Sequence, residues 1–101
     1  MVRGTTPTLK LKLKGIETSR LNSIYITLKQ GNKEVTKMNV DGIIAESESI
    51  LSVPLTQEDT LTFSQGYVSV QLRAMTTDDL AIASKPRLVL MDDILKEGVI
   101  T

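Results

Sequence analysis

The chain has 101 residues, 41% of them hydrophobic, which suits one hydrophobic core and argues against both two domains and a disordered chain. Its 12 basic side chains balance 12 acidic ones, and it contains no cysteine and no histidine. Disulfides, Cys/His metal sites, thiol nucleophiles, a Ser-His-Asp triad and imidazole acid-base chemistry are thereby excluded, so any catalysis would rest on carboxylates, lysines or two tyrosines.

The opening "MVRGTTPTL" lacks the apolar stretch of a signal peptide, and no apolar run approaches the ~20 residues of a membrane span. Synthesis in a cytoplasm is expected, with no membrane contact. Residues 8–14 then alternate strictly, which predicts a strand with Leu9, Leu11 and Leu13 on one face and Lys10, Lys12 and Lys14 on the other. After the loop "GIETSRLN", "SIYITLKQ" predicts a strand with Ile24, Ile26 and Leu28 inward and Tyr25, Thr27 and Lys29 outward. Gly31-Asn32 marks a tight turn into "KEVTKM" as the hairpin partner. Asp41-Gly42 marks a second turn into a short "IIAE", and the succession reads as a meander.

"SILSVPL" is a further strand, burying Ile50 or Leu51 and then Val53 and Leu55. Pro54 has no ladder donor, so this strand is expected at an edge or to end there. In "TQEDTLTF" the alternation breaks, and Thr56 is placed to cap a helical turn near 56–62 with Glu58 and Asp59 in its first turn. Leu55, Leu61 and Phe63 would close one end of the core. "GYVSVQLRAM" has the clearest strand pattern, with Val68, Val70 and Leu72 inward. "LAIAS" and "RLVLM" read as one strand interrupted near Pro86, and "DDILKEG" as a helical turn ending at Gly98. The expected core centres on Leu11, Ile24, Ile26, Val53, Val68, Val70 and Leu72.

About seven short strands separated by turns predict a single all-β domain over residues 1–101, an antiparallel β-sandwich, with a small barrel as the rival. Asp78-Asp79, Glu58-Asp59 and Asp92-Asp93 lack the converging oxygen ligands of a metal loop and read as turn and helix-start residues. A sugar site would need aromatics, and the chain has only Tyr25, Tyr67 and Phe63. No phosphate-binding glycine loop is present. Neither a cofactor nor a small-molecule substrate is expected.

The charge is unevenly placed: residues 1–40 hold eight basic side chains and two acidic ones, and the remainder four basic and ten acidic. Two arrangements are open, namely head-to-tail association of copies and neutralisation between neighbouring strands of one molecule. Lys10, Lys12 and Lys14 would stand about 7 Å apart along one face. Edge protection is the first reading of this stripe, an acidic protein neighbour the second and a phosphate backbone the third. Arg3, Lys10, Lys12 and Lys14 are the candidate partner contacts. Arg3–Thr8 is either an arm docking on a neighbour or a frayed lead into the first strand.

The segments "MVRGTTPTLKLKL", "ITLKQGNKEVTK", "VPLTQEDTLTF", "VSVQLRAMTTDDLAIAS" and "ILKEGVI" together resemble small proteins of similar length encoded in phages and prophages of Gram-positive bacteria. In plan the chain is similar to the immunoglobulin-like N-terminal domains of phage baseplate proteins. The resemblance implies an immunoglobulin-like fold, synthesis in a bacterial cytoplasm and association with the virion or its morphogenesis, but no reaction and no functional residues. Two functions follow as expectations. One is a non-enzymatic virion structural or assembly module contacting other phage proteins or copies of itself. The alternative is a small prophage regulatory or host-interaction protein touching nucleic acid through the lysine stripe.

Overall fold

A computed structural model describes residues 1–92, and the expected turn ending at Gly98 lies outside them. Within that range the strands are β1 (Thr8–Lys12), β2 (Leu21–Gln30), β3 (Lys33–Met38), β4 (Ile44–Ala45), β5 (Ile50–Pro54), β6 (Gly66–Thr76), β7 (Ala81–Ala83) and β8 (Arg87–Met91), with one short helix, α1 (Gln57–Leu61). All strand pairs are antiparallel and form two sheets. One has the order β1-β5-β4, and the other β3-β2-β6 with β7 and β8 both on the outer side of β6. In an immunoglobulin sandwich the sheets are A-B-E-D and C-F-G, with C′ added beside C in variable-type domains. The order found here is B-E-D and C′-C-F-G, so the all-β sandwich has immunoglobulin-like connectivity.

Local chemistry explains most boundaries. Gly31, at φ 61°, turns β2 into β3 with Gln30 opposite Lys33, the hairpin that its Gly-Asn pair predicts. Thr56 Oγ1 accepts from the Asp59 N–H at 3.1 Å while Asp59 Oδ2 accepts from the Thr56 N–H at 2.8 Å, so a reciprocal capping box starts α1. Pro54 is the last residue of β5, which is the central strand of its sheet. Between β7 and β8 the ladder to β6 slips by one residue, from Arg73↔Ala83 to Val70↔Arg87. Ser84 absorbs the slip: its N–H donates to the Leu72 carbonyl and its Oγ accepts from the Leu72 N–H. Pro86, with no N–H to lose, follows it.

The expected meander is corrected at β4. This strand does not continue from β3 but crosses to the other sheet and pairs with β5, Ile44 opposite Ser52. A 3-10 turn at Asn39–Asp41 ends in Gly42 at φ 89°, which redirects the chain. Asn39 Oδ1 accepts from the Ile24 N–H at 2.6 Å and Nδ2 donates to the Asn22 carbonyl, fastening the corner to β2.

The core lies between the sheets. Ile24, Ile26 and Leu28 of β2 face Val68, Val70, Leu72 and Ala74 of β6 side by side, and Leu51, Val53, Leu55 and Phe63 close on them. Of the expected core, Leu11 alone is half-buried, because β1 is the outermost strand of its sheet.

A candidate docking groove at the open side of the sandwich

The two lateral sides of the sandwich are finished differently. On the β3 side Lys37, which points inward, reaches Asp59 of α1 at 2.6 Å, with the two side chains only 11% and 15% exposed. Lys33 and Gln30 add hydrogen bonds to Ser64 beyond α1. On the other side, among the described residues, β1 pairs with no strand except β5, and β7 and β8 with none except β6.

At one end of that open side the N-terminal residues form a clasp. Val2 bridges Asp92 in parallel, the Met1 carbonyl accepts from the Asp92 N–H, and the Arg3 N–H donates to the Asp92 carbonyl. Arg3 itself is buried, its guanidinium donating to the carbonyls of Phe63 and Leu61. The Gly4 N–H donates to Thr60 Oγ1, which in turn donates to the Thr5 carbonyl. The arm is thus ordered and docked, but on its own chain, and Arg3 is taken off the surface. No sequence signal announces this, since an Arg-Gly-Thr-Thr segment has neither hydrophobic periodicity nor a strand pattern.

Away from the clasp the open side widens into a groove. One part, about 410 Å³, lies among Leu13, Ile16, Leu72, Ile82 and Arg87, and another, about 220 Å³, among Leu9, Leu11, Val70, Leu88 and Val89. They are contiguous, sharing Lys12, Leu13, Leu72, Ser84 and Arg87. The floor is apolar because every second residue of β1, β6 and β8 points between the sheets.

The lysine stripe stands where alternation predicts it, with Lys10, Lys12 and Lys14 exposed and Leu9, Leu11 and Leu13 packed toward the core. Its members differ. Lys10 Nζ is 3.3 Å from Glu46 Oε1, whereas among the described residues no carboxylate pairs with Lys12, Lys14 or Arg87. Backbone direction separates them from the leucines again. The Leu13 N–H donates to Ser49 and the Pro7 carbonyl accepts from Leu55, so the odd residues of β1 bond to β5. In an antiparallel ladder these alternate with residues facing away, so the N–H and C=O of Lys10 and Lys12 point out of the sheet edge.

Other sequence candidates are dispersed. Tyr25 and Tyr67 lie on the outer face of the five-stranded sheet, whereas the lysines lie on the outer face of the three-stranded one. Tyr25 is opposite Arg73, six residues along β6 from Tyr67, or about 20 Å. No shared stacking platform forms. Asp78 and Asp79 make the β6–β7 turn, Asp79 at φ 62° and Asp78 paired with Arg20 at 3.2 Å. Among the described residues no helix is long and apolar enough to cross a membrane. No protein-family model, curated protein or solved structure matches this chain.

Proposed function

We propose that the chain is a non-enzymatic structural or assembly module of a phage or prophage, made in the bacterial cytoplasm and acting in or on the virion through protein–protein contacts. One observation carries the docking role: a groove with an apolar floor runs between two strand edges that, among the described residues, have no partner on that side. Unpaired edges beside an apolar groove are how β-sandwiches accept an added strand. The phage setting is supported by the sequence resemblance. A residue set without cysteine or histidine, with Glu46, Asp59 and Asp78 held in ion pairs and Asp59 also in a helix cap, supports the non-enzymatic reading. The nucleic-acid alternative draws no support from the lysine stripe, which stands on a different face from both exposed tyrosines.

Mass spectrometry of particles purified from an induced lysogen carrying the gene tests the proposal. The expected result is the chain at a fixed ratio to a major capsid or tail protein, or bound to an assembly intermediate. Abundance in the lysate with absence from particles and intermediates refutes it.

A further inference from the structure

We infer that the groove between β1 and β7–β8 is a strand-complementation site that takes an extended segment of a partner protein, alternating apolar and acidic residues, laid along β1. The inference rests on the docking role proposed above and names its partner by chemistry.

Topology locates the site. In a complete immunoglobulin sandwich strand A lies beside strand B, and β1 holds the B position here. Among the described residues nothing pairs with β1 on that side, and the only chain nearby, Met1–Arg3, pairs with the end of β8 instead. The outward N–H and C=O groups of Lys10 and Lys12 offer a ladder to a visiting strand. On the facing edge, the Met1 ammonium and carbonyl bond the Leu90 carbonyl and the Asp92 N–H. The alternate residue Leu88 therefore also turns its backbone toward the groove.

Side chains set the partner's pattern. Residues opposite one another on paired strands share a face, about 5 Å apart. A visitor beside β1 would turn one set of side chains inward, onto Leu11, Leu13, Leu72 and Ile82, and the other outward, beside Lys12 and Lys14. Apolar residues suit the first set and carboxylates the second. Arg87, across the groove, adds a third cation without a described carboxylate. A second copy of this chain is the poorer occupant: β1 against β1 sets lysine beside lysine, and like charges in facing positions oppose pairing. Nucleic acid would leave the apolar floor and the strand edge unused.

The test is an NMR titration of the isotope-labelled full chain with a blocked heptapeptide, Glu-Val-Glu-Val-Glu-Val-Glu, and with its Lys-Val counterpart. Amide shifts at Lys10–Lys14 and Arg87–Leu88 with the acidic peptide, and none with the basic one, are expected. Lys12→Pro removes the outward donor while leaving the bonds to β5, and should abolish binding. Lys12→Glu/Lys14→Glu should weaken it about tenfold. If the Lys12→Pro variant fails to fold, the double charge variant decides. No shifts at millimolar peptide, shifts centred on Tyr25 and Tyr67, equal response to both peptides, or full binding by the folded Lys12→Pro chain would each overturn the assignment. So would identical shifts produced by concentrating the chain alone, or by a single-stranded oligonucleotide in place of the peptide. The two proposals fail separately. A chain found in particles that ignores the peptide keeps its module role and loses this site, and a peptide-binding chain absent from particles and intermediates does the reverse.

Discussion

The Lys37–Asp59 pair closes the side of the sandwich opposite the groove, and removing either partner tests how much that closure is worth. The side chains are 11% and 15% exposed, so the pair lies between a surface bridge, worth ~0–1 kcal/mol, and a fully buried one, whose breakage costs ~3–5 kcal/mol. Lys37→Met leaves Asp59 with the Thr56 N–H as a donor and some solvent, and should cost about 2 kcal/mol. Asp59→Ala also dismantles the capping box, adding about 1 kcal/mol for a total near ~3 kcal/mol. The double variant leaves no orphaned charge, so the single costs should fail to add by about 2 kcal/mol. Urea denaturation followed by far-ultraviolet circular dichroism measures all three. Single losses below about 0.5 kcal/mol, or strict additivity, would refute the reasoning.

The same pair predicts a pH dependence. Burial opposes ionisation of Asp59, but the Lys37 ammonium and the Thr56 N–H and hydroxyl outweigh it and hold the carboxyl below the usual range. A carboxyl that is more acidic folded than unfolded contributes its stability in full above the unfolded value, near ~4. That contribution is lost as the pH falls through the folded value, because the unfolded chain takes up the proton first. Asp59→Asn should therefore lose stability at neutral pH and show a flatter acid limb than the parent. Part of the slope will persist, since Glu46 and Asp78 are also lowered, though both lie at the surface. An unchanged acid limb would remove Asp59 from the account.

Val70→Ala should cost about 2 kcal/mol in chemical denaturation, since Val70 is buried between Leu28 and Arg87 in the ladder, and a loss under a few tenths would place it outside the core. Arg3→Ala should cost about 2 kcal/mol by orphaning the Phe63 and Leu61 carbonyls, and should speed exchange of the Gly4 amide, which is held by Thr60; unchanged exchange would contradict the clasp. Gly42→Ala should cost ~1–3 kcal/mol, because the residue sits at φ +89° and a Cβ would lie 3.1 Å from Pro54 Cγ; a neutral outcome in the same assay would show that the crossover is not constrained there.

What was legible in the sequence was whatever a strand records in side-chain alternation. The faces of β1, β2 and β6, the Gly31-Asn32 hairpin, the Thr56 cap and the break near Pro86 all follow from local spacing. The crossing of β4 was hidden, because two residues carry no periodicity and the instruction resides in Asn39 and Gly42, one a side-chain bond to β2 and the other a φ value. Lys37 was hidden for a related reason. It shares a strand face with Val35, two residues away, but a lysine on that inner face makes sense only once α1 brings Asp59 to it from another part of the chain. The groove was least legible of all. Leu9, Leu11 and Leu13 look like ordinary core residues until the sheet order shows that, among the described residues, no strand flanks β1 on the side away from β5.

The lysine stripe shows why edge protection and partner contact are not rival readings. Among the described residues the unequal charge of the two parts of the chain is met inside the molecule at Lys10–Glu46, Arg20–Asp78 and Lys37–Asp59, each joining an early cation to a later carboxylate. This supports neutralisation within one molecule over head-to-tail attraction. Among the described residues the groove's rim cations, Lys12 and Lys14 on one edge and Arg87 across from them, have no carboxylate partner and come from both parts of the sequence, so the rim is a product of the fold and not of the segment. A cation on a free strand edge raises the energy of pairing with another copy of the same edge and lowers it for an acidic strand. On the proposed docking of an acidic strand, the side chains that disfavour pairing of β1 with its own kind are also the ones that would select what joins it.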